Sequence, residues 1–302
     1  MASWQAHCIS FLLRHTFKLR LARARDAQQA RAIMNSGRFR TPRDLRITQI
    51  TLGGVACECL EAESGSTAGI LFYLHGGGYF ACSPRTHRPY TAFFAQRGFK
   101  VIAPDYRLAP ENPFPAGLED AVAAYRALRA QIDNATPGNT TAIVIGGDSA
   151  GGGLALATLL KLRDAGDTLP VAAALFSPLT DLAGTGKSRE TNNRRCAMFF
   201  GDGLKRAQEF YLSGADPHDP LASPLYAELK GLPPMLVHVG ADETLLDDST
   251  RLAERARAAG VPVESKIWPA VPHDWHLFRQ FMPEGRQSLQ EASEFLARSQ
   301  QR

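Results

Sequence analysis

Short apolar runs alternate with stretches in which apolar residues recur every three or four positions, from about residue 68 to the end of the chain. The runs at 70–74, 101–103, 142–145, 171–176 and 235–239 are apolar or nearly so, and 262–268 reads as one more strand. Between them, the spacing predicts helices over 89–96, closed by Gly98, and over 118–131, where Leu118, Val122, Tyr125 and Leu128 share a face. Further helices are predicted over 150–163, over about 248–259 ending at Gly260, and over about 285–298. Continuous apolar strands separated by helices predict a mostly parallel α/β sheet covered on both faces. The alternating segments 45–52 and 55–61 predict an antiparallel start to that sheet.

Two segments break the alternation. One is the helical region up to about residue 40. The other lies at about 178–218, is rich in Gly, Asn and Arg, and has a helical stretch near 204–212. In an open α/β sheet, insertions beyond the carboxyl ends of strands sit over the site, so both read as parts of a lid. With 302 residues, 44% of them hydrophobic and 21% charged, the chain suits one large globular domain with an elaborated lid, or two smaller ones.

Charge changes this picture only at the N-terminus. The net charge is +4, yet Arg14, Lys18, Arg20, Arg23, Arg25, Arg31, Arg38, Arg40, Arg43 and Arg46 precede residue 50, opposed by Asp26 and Asp44 alone. The rest of the chain is slightly acidic, which argues against nucleic acid as a main partner; the arm reads as the solvated face of an amphipathic helix, the sharper alternative being an arm that binds nucleic acid or an anionic membrane surface. The five cysteines, Cys8, Cys57, Cys59, Cys82 and Cys196, form neither a disulfide framework nor a zinc pattern. No run reaches the roughly 18 apolar residues of a spanning helix, and Arg14 interrupts the only N-terminal apolar patch. A cytoplasmic chain without stable membrane insertion is the expectation.

The chemistry concentrates in Gly147-Asp148-Ser149-Ala150-Gly151, which follows one predicted strand and opens one predicted helix. In that context G-x-S-x-G is a nucleophile elbow: the glycines permit a sharp turn that lifts the Ser149 hydroxyl clear of the sheet, and the helix N-terminus offers amides to a developing oxyanion. His75-Gly76-Gly77-Gly78 follows another strand. Successive glycines there suit an oxyanion loop donating N–H groups from Gly77 and Gly78, with Ala150 as a third donor. A serine needs a general base and the base an orienting carboxylate, in the chain order Ser, acid, His for this fold. Of the eight histidines, His273 and His276 follow the last strand. Asp242, Glu243, Asp247 and Asp248 follow the 235–239 run; the last two fall at a helix start, where they would cap it, leaving Asp242 and Glu243 unseparated.

These motifs, together with Tyr106-Arg107-Leu108-Ala109-Pro110-Glu111 and Asp219-Pro220-Leu221-Ala222-Ser223-Pro224-Leu225, resemble the bacterial hormone-sensitive-lipase-like esterases, from about residue 45 to the end. The resemblance implies the α/β-hydrolase fold, cleavage of short- to medium-chain acyl esters through an acyl-enzyme, no cofactor or metal, and a small-molecule ester as partner. It admits a homodimer. It divides the chain into N-terminal cap helices at 1–44 and a catalytic domain at 45–302 carrying the insertion at about 178–218. The family's acid opens a pattern of acid, any residue, Leu, any residue, Asp, which Glu243-Thr244-Leu245-Leu246-Asp247 fits in register and Asp242 does not. The base corresponds to His273. His75 and the Tyr106 stretch correspond to structural positions. Phe17, Phe199 and Phe200 are expected to shape the acyl pocket. Two rival readings are a ligand-binding receptor on the same fold, which would lack the base, and a serine amidase or peptidase.

Overall fold

The structure, a computed structural model, describes residues 2–37, 42–66, 68–135 and 141–300; Arg38 and Arg40 lie outside the described residues. Three helices lead, α1 (Trp4–His15), α2 (Phe17–Ala22) and α3 (Ala27–Met34). The hairpin β1 (Leu45–Leu52) and β2 (Val55–Ala62) follows, then β3 (Ile70–Leu74), α4 (Arg88–Ala95), β4 (Lys100–Pro104), α5 (Ala116–Ala135), β5 (Ile143–Asp148), α6 (Ser149–Asp164) and β6 (Ala173–Phe176). After α7 (Ser188–Thr191) and α8 (Gly201–Leu212), the chain closes with β7 (Met235–Gly240), α9 (Leu246–Ala258), β8 (Val263–Trp268) and α10 (Pro283–Ser299).

The strands form one sheet in the order β1-β2-β4-β3-β5-β6-β7-β8, antiparallel from β1 to β4 and parallel thereafter. This is the α/β-hydrolase arrangement with the antiparallel start expected from 45–61. The period of two along a strand sorts side chains to opposite faces. Ile70, Phe72 and Leu74 of β3 belong to the core shared with α5, α6 and α9, while Leu71 and Tyr73 belong to the core shared with α4 and α10. Because both faces are covered, β3, β5, β6 and β7 are buried throughout. The edge strand β8 is covered less, which is why Lys266 and Glu264 are tolerated in it.

The loops after β3, β5, β7 and β8 converge at the carboxyl edge of the sheet, and α1 to α3 and α8 lie above them. Side chains fasten these helices in place. Ser3 donates through its N–H and Oγ to Glu284, at 2.6 and 2.9 Å. Arg31 bonds the carbonyls of Phe80 and Ala109 and both oxygens of Glu111. Lys18 departs from the solvated face expected of the basic arm. It is buried, donates to the Asn193 and Cys196 carbonyls at 2.6 and 2.7 Å, and lies 3.9 Å from the centre of the Phe200 ring.

Candidate active site

The turn between β5 and α6 holds Ser149 at φ 51°, in the left-handed region that a residue with a Cβ rarely adopts. The turn is too tight for side chains on its flanks: a Cβ at Gly147 would strike the Gly151 carbonyl, and one at Gly151 the backbone of Leu74 and His75. The preceding Asp148 ties the elbow to its neighbour loop. It is fully buried and accepts from Tyr73 Oη at 2.6 Å, the Gly76 N–H at 3.1 Å and His87 Nε2 at 3.0 Å. Burial alone would raise its carboxyl, but His87 and Tyr73 hold it below the usual carboxylate range.

The loop after β3 passes through Gly77 at φ 117° and Gly78 at φ 63°. Gly77 has no room for a Cβ against the Ala81 backbone. Among the described residues, no acceptor takes the N–H groups of Gly77, Gly78 or Ala150, and Gly77 and Gly78 line the cavity described below. His75 points away from the cavity: it stacks on Tyr106 with ring centres 4.3 Å apart, and burial pushes it down to about 3. Tyr106 Oη in turn holds the His75 carbonyl at 2.7 Å.

Glu243 and His273 meet behind this turn, both 1% exposed. Glu243 Oε2 lies 2.5 Å from His273 Nδ1, while Oε1 accepts from Ser177 Oγ and the Gly240 N–H, each at 2.6 Å. The carboxylate thus takes three bonds that fix its plane. Asp242 instead pairs with Arg195 at the surface. Asp247 and Asp248, expected to cap a helix, sit inside the first turn of α9. Their carboxylates accept from the Ser188 N–H and from the Thr180 and Asp181 N–H groups, tying the 178–191 segment to α9. His276 bonds Tyr90 Oη and Ser288 Oγ, away from Glu243.

His273 Nε2 makes no hydrogen bond, and Ser149 Oγ is not bonded to it in this structure. The nearest acid is Asp274, whose Oδ2 lies 3.2 Å from Nε2 at an angle unsuited to a hydrogen bond, and whose Oδ1 accepts from Tyr90 Oη at 3.2 Å. Burial would lower His273, but the Asp274 and Glu243 carboxylates outweigh it and hold the imidazole well above its ordinary value. Burial pushes the Asp274 carboxyl up, and His273 opposes that rise. No reading of the motifs pointed to Asp274. Its adjacency to His273 was the one available signal, and its direction depends on a left-handed φ of 51°.

A cavity of about 250 Å³ opens onto this arrangement. Its wall includes Ser149, Gly77, Gly78 and Asp274, but not Ala150, Glu243 or His273. Most of the rest is apolar, with Leu13, Phe17, Leu21, Ile33, Met34, Phe199, Leu204 and Phe210 prominent, and Thr86, His87 and Arg206 add polar atoms. Phe17 and Phe199 fall where the sequence placed them. Phe200 does not: it turns away beneath Lys18.

A profile of the α/β-hydrolase fold matches residues 71–277. An acetyl-hydrolase of Streptomyces hygroscopicus is 47% identical over 82% of this chain and 81% of its own length. An esterase of Acinetobacter venetianus is 37% identical over 83% and 82%. Among solved structures, an esterase from the bacterial hormone-sensitive lipase family superposes with a TM-score of 0.91 at 39% identity over 99% of each chain. The esterase EstE5 soaked with p-nitrophenyl butyrate superposes with a TM-score of 0.93 at 37% identity over the full length of both.

Proposed function

Because the chain belongs to the α/β-hydrolase fold family, among the bacterial hormone-sensitive-lipase-like esterases, and is a carboxylic-ester hydrolase, we propose that it works through an acyl-enzyme on Ser149. The observation that carries the proposal is the buried Glu243–His273 hydrogen bond beside a serine held at φ 51°. Glu243 fixes the His273 tautomer with Nδ1 protonated, leaving the Nε2 lone pair to take the Ser149 proton as Oγ attacks the ester carbonyl. The missing Ser149–His273 bond forms as substrate binds, since such bonds are often long before the reacting complex assembles. The N–H groups of Gly77, Gly78 and Ala150 receive the oxyanion. His273 returns the proton to the departing alcohol, and water repeats the sequence to release the acid.

The helices α1 to α3 and the 178–218 insertion act as the cap, and those of their apolar side chains that line the cavity receive the acyl group. The small, mostly aliphatic and aromatic cavity favours short- to medium-chain acyl esters. The five unpaired cysteines support a reducing, cytoplasmic setting. Hydrolysis of p-nitrophenyl butyrate by Ser149→Ala tests the mechanism. Turnover falls by more than about a thousandfold with the circular dichroism spectrum unchanged. Residual activity above that level would rule out Ser149 as the nucleophile.

A further inference from the structure

The outer face of α1 carries what a solvated helix should not. Trp4 is 72% exposed, Phe11 57% and Leu12 58%, and Leu19 follows on α2 at 38%. At about 100° per residue, Trp4, Cys8, Phe11, Leu12 and His15 fall within one stripe. Leu13 and Phe17, nearly opposite Trp4 and Phe11, line the cavity instead. The stripe cannot turn inward to bury itself. Ala6 and Ile9 are packed on Trp268, Val271, Trp275 and Met282, and Ser3 and Lys18 are bonded into the body of the protein. Phe281, 68% exposed, extends the apolar surface beside the Glu284 that holds Ser3.

Cations flank the stripe. Arg20, Arg23, Arg25 and Arg194 are exposed, and among the described residues none of them has an acid within ion-pair distance. Exposed aromatic and aliphatic side chains beside arginines on a helix too short to cross a membrane fit an anionic lipid–water surface, with the apolar groups in the acyl boundary and the guanidinium groups at the headgroups. We infer that the outer face of α1 and α2 docks the protein on anionic lipid surfaces. The same helices that touch the lipid would then wall the cavity on their inner side. The inference concerns binding and stands apart from the assignment of Ser149.

Co-sedimentation with vesicles of phosphatidylglycerol or of phosphatidylcholine tests it without turnover. The protein binds the phosphatidylglycerol vesicles, and more weakly as salt rises. Of the three tryptophans, Trp268 and Trp275 are buried, so a blue shift of emission on binding reports Trp4, and Trp4→Phe removes the shift. Arg20→Glu and Arg23→Glu each weaken binding by at least roughly fivefold. The pair Phe11→Ser and Leu12→Ser abolishes it. All these variants hydrolyse a soluble butyrate ester at the normal rate, which shows that they fold. Three results overturn the inference: no binding to phosphatidylglycerol, equal and salt-insensitive binding to both vesicles, or a lipid-free dimer in sedimentation equilibrium that the Phe11→Ser and Leu12→Ser pair dissolves.

Discussion

The floor of the cavity and its roof are built by different means. On the floor, the backbone sets the geometry: Ser149, Gly77 and Gly78 take left-handed φ values, and the Gly147 and Gly151 positions exclude any side chain. On the roof, mostly helical backbone from α1, α2, α3 and α8, with Met198 and Phe199 just before α8, brings side chains together to form a largely apolar wall. A site fixed by backbone tolerates almost no change, whereas a wall of side chains can be re-cut in small steps. On the proposed mechanism, the floor would govern whether the reaction occurs and the roof which ester is accepted.

The sharpest way to break this comparison lies on the floor, at the carboxylate. Glu243→Gln leaves His273 without the partner that fixes its tautomer, and kcat falls by on the order of 10³ to 10⁴. Asp242→Asn, which loses only a surface pair with Arg195, changes kcat by less than about twofold. Equal losses in the two variants would remove Glu243 from its assigned role. At the boundary between floor and roof stands Asp274. On the proposed mechanism activity requires neutral His273, so it is expected to be lost as pH falls through the raised value of that imidazole. Asp274→Asn removes the first of the two carboxylates that raise it, so the acid limb of kcat/KM moves to lower pH. The limb stays where it is if Asp274 serves only as packing against Tyr90. On the roof the effects are smallest. Phe199→Ala enlarges the cavity and moves the preferred acyl chain toward longer esters by about tenfold in relative kcat/KM, with kcat on the best substrate nearly preserved. A chain-length series of p-nitrophenyl esters measures this.

The same division explains what was legible in the sequence. Gly147-Asp148-Ser149-Ala150-Gly151 and His75-Gly76-Gly77-Gly78 stand out because the strained turns they form demand glycine at fixed offsets, and a demand of that kind is local. The sheet was equally readable, since burial on both faces leaves β3, β5, β6 and β7 without polar alternation. Glu243 was separable from Asp242 only through the register of the family pattern, because both follow β7 and the choice depends on which one turns inward toward Ser177 and His273. The expectation that Asp247 and Asp248 cap a helix failed because distant amides, at Thr180, Asp181 and Ser188, compete for the same carboxylates. The roof was least legible. Its wall joins residues as far apart in the chain as Leu13 and Phe210, and no local rule tells Phe199, which faces the cavity, from Phe200, which does not.

The left-handed φ of Ser149 has a consequence for anyone who sets out to harden this protein against heat. A residue with a side chain in that conformation costs the folded state on the order of 1–3 kcal/mol, and glycine adopts it freely. Glycine at this one position therefore offers a gain in melting temperature while deleting the hydroxyl proposed as the nucleophile. A library ranked on thermal survival alone would rise toward a sturdier and inert protein, so turnover has to be scored in every round.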